Sequence, residues 1–161
     1  MGDRNRFSAF ADLIARNFAA DRYRIIADIA GGKGELQCCL RQKGFADVIT
    51  FDNRNARRRL KNITYQKKLF NRNIEMEFDL LIGLHPDEAT DVIISEAAKR
   101  KIPFIVCPCC IKPQAFPYHG QANYLAWVKH LQKLAESLNF KVKTTVLPIH
   151  GKNIVIIGQP G

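Results

Sequence analysis

Short apolar runs alternate with longer amphipathic ones along almost the whole chain, and this limits the available folds more than any other feature. "YRIIADI", "FADVITFD", "NITYQ", "MEFDLLIGLH" and "IPFIVCP" each read as a strand. "ELQCCLRQKG" and "PDEATDVIISEAAKRK" read as helices lying between strands, the first closed by Gly44 and the second opened by Pro86 and acids. Strands that are apolar nearly throughout are buried on both faces, which implies a parallel sheet covered by helices on each side. "KVKTTVLPI" and "NIVIIGQ" are separated by "HGK", too short for a crossover helix, so the last two strands pair as an antiparallel hairpin. Two further helices complete the pattern. "FSAFADLIARNFAADRY" has apolar residues at 7, 10, 13, 14 and 18, with Ser8 a candidate cap. In "QANYLAWVKHLQKLAESLNF", Leu125, Val128, Leu131, Leu134, Ala135 and Leu138 recur at helical spacing. The expected fold is α/β and Rossmann-like, with a mostly parallel seven-stranded sheet and helices on both faces.

The chain of 161 residues suits a single domain, 1–161, with an N-terminal helical segment over 1–23 and an α/β core over 24–161. Apolar residues at 47% and charged residues at 25% exclude an intrinsically disordered chain. Five cysteines, clustered as Cys38–Cys39 and Cys107, Cys109 and Cys110, make poor material for a disulfide framework and imply a reducing compartment. "MGDRNRFSAF" has no apolar signal region, and no run approaches membrane-spanning length, so a soluble cytoplasmic protein without a membrane partner is expected.

"IIADIAGGKGEL" carries the first strand through three glycines into a helix. Glycine tolerates positive φ and has no Cβ, so such a turn lets a ligand approach backbone closely. A nucleotide phosphate, a dinucleotide or the methionine end of S-adenosylmethionine would each fit. Gly32 and Gly34 stand in G-x-G relation without the further glycine of the dinucleotide fingerprint, and no G-K-[ST] follows, which rules out a P-loop. Asp52 ends the second strand about twenty residues on, where a carboxylate can accept both ribose hydroxyls. Asp28 either braces the loop or faces a ligand ammonium.

"LHPDEATD" places His85 at the carboxyl end of a central strand, where such sheets hold ligands. Its imidazole titrates near neutrality and is a candidate general base; Asp87, Lys33 and Lys112 are the charged alternatives. Equally, Asp87 could charge a helix start while His85 bonds a loop carbonyl. "CPCC" invites zinc bound by Cys107, Cys109 and Cys110 with His119 or His85, but zinc ligands are ordinarily spaced by two or more residues. No metal is therefore expected: Cys107 reads as a buried apolar residue, and Cys109 and Cys110 as the wall of an acceptor pocket.

"ADIAGGKGEL", the acid of "TFDNR", "FDLLIGLHPDEATD" and "FIVCPCC", in that order, resemble the class I S-adenosylmethionine-dependent methyltransferases. More narrowly they resemble the branch that holds putative RNA methyltransferases and the 2'-O-methyltransferase of the tRNA acceptor stem. The resemblance spans roughly residues 24 to 125. It implies S-adenosylmethionine as cofactor, with Gly31, Gly32 and Gly34 on its methionine side, Asp52 on the ribose and Leu84 and His85 beside the methyl group; Asp28, Ala30 and Asn53 complete the candidate cofactor contacts. It sets Ala89, Thr90 and Asp91 on the following helix and matches Cys109 and Cys110 to a paired-cysteine motif. Pro86 and Asp87 stand where relatives often have cysteine and glycine, and Ile111 and Lys112 where a histidine is frequent.

Lys and Arg number 25 against 15 acids, a formal net charge of +10, which makes a polyanionic partner plausible. Arg54, Arg57, Arg58, Arg59, Lys61, Lys67, Lys68 and Arg72 crowd the region after Asp52, as phosphate contacts require. Phe116, Tyr118 and Tyr124 beside Lys112 could stack unpaired bases; equally, the prolines there make a stiff surface loop and Tyr124 packs the long helix. Arg57, Arg58, Arg59, Cys109, Cys110, Lys112, Phe116 and Tyr118 are thus the candidate substrate contacts. The expected activity is methyl transfer to tRNA or rRNA, with a homodimer or partner subunit supplying recognition. The alternatives are a non-catalytic RNA-binding or scaffold subunit, and a methyltransferase acting on small molecules or proteins.

Overall fold

The computed structural model describes residues 3–54, 59–110 and 122–161. Seven strands form one sheet: β1 (Ile25–Ile29), β2 (Asp47–Phe51), β3 (Thr64–Gln66), β4 (Leu80–Leu84), β5 (Phe104–Cys107), β6 (Phe140–Val146) and β7 (Ile154–Pro160). The helices are α1 (Arg6–Asn17), α2 (Glu35–Gln42), α3 (Thr90–Arg100) and α4 (Ala122–Ser137).

The strand order is β3-β2-β1-β4-β5-β7-β6. The first five strands in chain order pair in parallel; β7 inserts antiparallel between β5 and β6. The sheet and its closing hairpin therefore match the expectation from the apolar runs. The order reverses between β1 and β4, and a crevice opens beyond the carboxyl ends of strands at such a switch point.

Alternation along each strand feeds two cores. In β1, Ile26 packs with Phe10 and Ile14 from α1, with Phe18 just past its end, and with Leu36 and Leu40 from α2. Ala27 and Ile29 point to the opposite face, with Ile93, Ile94 and Ala97 of α3 and Trp127, Val128 and Leu131 of α4. That second face also holds an aromatic cluster of Phe51, Phe70 and Phe78, with ring centroids 5.1 to 5.8 Å apart. Complete burial of a side chain of this size contributes about 1.5–3 kcal/mol, so the cores supply the stability while polar groups gather at the strand ends.

Three local expectations are corrected. Ser8 is not the cap of α1: it lies within the helix, its hydroxyl donating to the Asn5 carbonyl at 2.9 Å, and Asn5 occupies the cap position. The first turn after Pro86 is a 3-10 turn over Asp87–Ala89, with α3 beginning at Thr90. In α4 the buried stripe runs through Trp127, and Leu125 is exposed, because the helix is rotated to seat the indole against the sheet. Among the described residues, no helix is long and apolar enough to cross a membrane.

Candidate active site

The β1–α2 turn supplies one wall of the crevice. Ala30, Gly32 and Gly34 have φ of 56°, 60° and 91°, so the turn uses left-handed backbone at alternate positions. Gly31 has a different reason to be glycine: a Cβ there would stand 2.1 Å from Asp28 Oδ2 and 2.7 Å from Thr50 Cγ2. A Cβ on Gly32 would meet nothing within 4 Å, so that side of the turn faces open space. Asp52, at the end of β2, ties the turn down by accepting the Gly32 N–H at 2.9 Å.

Asp28 is fully buried beneath the turn. Thr50 Oγ1 donates to Asp28 Oδ2 at 3.1 Å, and Gln37 Nε2 donates in turn to Thr50 Oγ1 at 3.0 Å. Burial pushes the Asp28 carboxyl up to about 7; the Thr50 bond opposes this, while the nearby Asp52 and Glu35 charges add to it.

Asp52 is engaged on both oxygens by Arg54. The Arg54 N–H and Nε donate to Oδ1 at 2.9 and 3.0 Å, and its terminal nitrogen donates to Oδ2 at 2.8 Å. Burial alone would raise the Asp52 carboxyl, but the Arg54 bonds and the Gly32 N–H outweigh it and hold it below its ordinary value. Arg54 also reaches Asp87 Oδ2 at 3.4 Å, bridging the ends of β2 and β4. Arg54 belongs to the basic cluster after Asp52, and nothing local in the sequence signals Asp87 as its partner.

The β4–α3 turn supplies the opposite wall. His85 and Asp87 have φ of 51° and 48°, a conformation that non-glycine residues rarely adopt. At Asp87 this is the backbone that glycine in the resembled motif would take without strain. Thr90 Oγ1 closes the turn on the Asp87 carbonyl at 3.2 Å. His85 Nε2 lies 2.8 Å from the Lys152 carbonyl in the β6–β7 turn. A carbonyl only accepts, so Nε2 carries the proton and Nδ1 keeps the lone pair. Burial holds the His85 imidazole below its usual pKa, with Arg6 adding to the effect; the Lys152 carbonyl and Asp87 oppose it.

Two cavities meet here. One, of about 620 Å³, is walled by Phe51, Asp52, Asn53, Leu69, Phe70 and Pro86. The other, of about 330 Å³, lies among Asp28, Gly31, Gly32, Glu35, Leu84 and His85. Ala30, Arg54 and Asp87 line both. Arg6 and Phe7 of α1 line the smaller one, and no local sequence pattern signals that α1 reaches it.

Every residue expected around a cofactor (Asp28, Ala30, Gly31, Gly32, Asp52, Asn53, Leu84 and His85) borders these cavities except Gly34, which is buried against Ile63. Asp87 and Cys109 border the smaller cavity, and Cys110 the larger. Lys33 is exposed and lines neither. Arg59 stacks over the Tyr65 ring at 4.1 Å, away from both. Tyr124 packs inward, its hydroxyl accepting the Ile154 N–H at 3.2 Å. Arg57, Arg58, Lys112, Phe116, Tyr118 and His119 lie outside the described residues. Cys107 is buried, as its apolar strand implied, and the same burial raises its thiol to about 12. Cys109 Sγ lies 3.2 Å from Asp87 Oδ1, a partner its sequence neighbourhood does not reveal. Burial raises the Cys109 thiol to about 12 as well, with Cys110 and Asp87 adding to the shift, so it is a poor nucleophile at neutral pH.

No protein-family model matches the chain. No curated protein matches it either. Solved structures do. A ribosomal protein L11 methylase from Lactobacillus delbrueckii subsp. bulgaricus is 14% identical with a TM-score of 0.69, over 99% of this chain and 81% of that one. The sugar N-methyltransferase KedS8 from a Streptoalloteichus species is 13% identical, TM-score 0.65, over 99% and 94%. Human N-acetylserotonin methyltransferase in complex with SAM is 15% identical, TM-score 0.63, over 98% of this chain and 52% of that one. At such identities the likeness is one of architecture. This chain has the class I methyltransferase fold.

Proposed function

We propose that this chain binds S-adenosylmethionine across the β1, β2 and β4 strand ends and transfers its methyl group to an acceptor beside His85. The observation that carries this reading is the pair of adjacent cavities that share Ala30, Arg54 and Asp87, one mostly apolar with the Asp52 carboxylate in its wall, the other lined by glycine backbone. In the larger cavity Phe51, Leu69 and Phe70 would enclose a nucleoside base, and Asp52 would take the ribose hydroxyls once Arg54 gives up its side-chain contacts. In the smaller, the open face of Gly32 would admit the methionine end, and Asp28 would meet its ammonium. When bound, the sulfonium supplies an activated methyl group, so no covalent enzyme intermediate is required. The protein's part is to align the acceptor and take its proton. The neutral His85, with Nε2–H given to the Lys152 carbonyl, keeps Nδ1 free to accept that proton.

For the acceptor, a small molecule or a protein side chain is the better supported class. The fold neighbours are named for sugar, N-acetylserotonin and ribosomal-protein methylation. RNA, including tRNA, is the second reading, supported by the net charge of +10 and the basic residues after Asp52.

Calorimetry with S-adenosylmethionine and its demethylated product is expected to show micromolar-range binding, weakened by roughly 1–3 kcal/mol in Asp52→Ala. Preference for NAD would instead overturn this reading and indicate an oxidoreductase. Labelled methyl transfer into small-molecule, protein and RNA pools then separates the acceptors. Label only in RNA would favour the second reading, and cofactor binding with no transfer would leave a non-catalytic subunit.

A further inference from the structure

Where β4 and β5 end side by side, Asp87, Cys109 and Cys110 each present one donor atom, and these atoms all lie within 4.8 Å of one another. Asp87 Oδ1 is 3.2 Å from Cys109 Sγ and 3.7 Å from Cys110 Sγ, and the two sulfurs are 3.5 Å apart. Zinc held tetrahedrally, with bonds of about 2.3 Å to sulfur and about 2.0 Å to oxygen, needs donor separations of about 3.8 Å between sulfurs and about 3.5 Å from sulfur to oxygen. The observed triangle is within a few tenths of an ångström of that face of a tetrahedron.

The surroundings agree with the donors. The left-handed backbone at Asp87, φ 48°, turns its carboxylate toward the cysteines twenty-two residues on. Asp87 Oδ2 is held by Arg54, leaving Oδ1 for the sulfurs. A cation of charge two bound by two thiolates and a carboxylate carries one surplus negative charge, and the Arg54 guanidinium, 3.4 Å from Asp87 Oδ2 and shared with Asp52, lies beside it. Adjacent cysteines alone do not chelate zinc well, which is why "CPCC" argued against a metal; the third donor comes from another strand. Cys107 belongs elsewhere, its Sγ facing the Lys152 carbonyl at 3.6 Å.

We propose that Asp87, Cys109 and Cys110 bind a thiophilic divalent cation, zinc foremost, with a fourth position open toward the two cavities. Loading releases two thiol protons to solvent as two sulfur–metal bonds form. Three protein ligands and one exchangeable position is the arrangement of a catalytic rather than a purely structural zinc site. The site stands independently of cofactor binding.

Cobalt(II) titration of the reduced, tag-free, chelator-treated full chain tests this. One equivalent is expected to produce a sulfur-to-cobalt charge-transfer band and the intense visible bands of four-coordinate cobalt, both abolished by one equivalent of zinc. Cys109→Ser/Cys110→Ser should lose the bands. Asp87→Asn, whose side chain tolerates the same backbone, should weaken zinc binding at least about 100-fold, beyond the range seen for outer-shell changes. Cys38→Ser/Cys39→Ser, altering the other adjacent pair, should bind like the parent. Absence of the bands in parent protein with an intact circular-dichroism spectrum would overturn the proposal. So would bands that survive the Cys109/Cys110 change or vanish with the Cys38/Cys39 change.

Discussion

The two turns that face each other across the crevice are built on opposite principles. The β1–α2 turn places glycine at two of its three left-handed positions, Gly32 and Gly34, and only Ala30 pays for that backbone with a side chain. The β4–α3 turn has no glycine at its left-handed positions, which fall on His85 and Asp87. The first turn is thereby relaxed and bare, with backbone exposed to a ligand. The second stores strain, on the order of 1–3 kcal/mol per residue, and spends it to aim an imidazole and a carboxylate. One side of the site offers surface, and the other offers functional groups.

The largest effect should come from beneath the relaxed turn. Asp28 has its pKa raised from 3.8 to about 7 by burial. The protonated carboxyl's advantage is therefore full below pH 3.8 and lost as pH rises to about 7. Asp28→Asn should match the parent near pH 4 and exceed it by up to about 4 kcal/mol above pH 7 in urea denaturation. A constant difference across that range would mean the carboxylate is not strained. In the parent, a ligand cation at Asp28 favours the anion, so affinity for S-adenosylmethionine should fall as pH drops below 7.

Gly31→Ala comes next. Its methyl would press on Asp28 and Thr50, and a loss of about 3 kcal/mol together with ligand binding is expected. Gly32→Ala should cost the fold only about 1 kcal/mol, the left-handed penalty, because no atom lies within 4 Å of the new Cβ. Its methyl occupies ligand space, so calorimetry should find binding lost from a folded protein. Equal destabilisation by the two alanines would erase the distinction between a glycine required by packing and one required by the ligand.

The smallest effect belongs to the strained turn. Asparagine tolerates left-handed backbone as well as aspartate does, so Asp87→Asn in metal-free protein should shift stability by less than about 0.5 kcal/mol. A larger loss would show that the Arg54 ion pair, and not the backbone, maintains this turn.

The same asymmetry explains what could be read from residues alone. The apolar runs from Ile25 to Ile29 and from Leu80 to Leu84 announce buried parallel strands, and "HGK" announces the hairpin. Glycines announce the relaxed turn. The strained one gives only a faint signal, since histidine and aspartate are enriched at positive φ but mostly occur elsewhere. Pairings between strand ends were silent. Arg54 meets Asp87 thirty-three residues away, and Arg6 and Phe7 reach the cavity because α1 packs on α2. Helical spacing alone turns Leu125 inward, but Trp127 is the residue buried on α4, and a spacing rule weighs both alike.

The hydrogen bond from His85 to the Lys152 carbonyl also bears on the order in which the molecule is assembled. β7 slots between β5 and β6, so that side of the sheet stays unfinished until the final strand is available. A nascent chain threaded only as far as α4 already possesses β1, β2, β4 and the glycine turn, but not the carbonyl that orients the imidazole. The glycine-turn half of the crevice can therefore form during synthesis, whereas the histidine half waits for the last hairpin to dock.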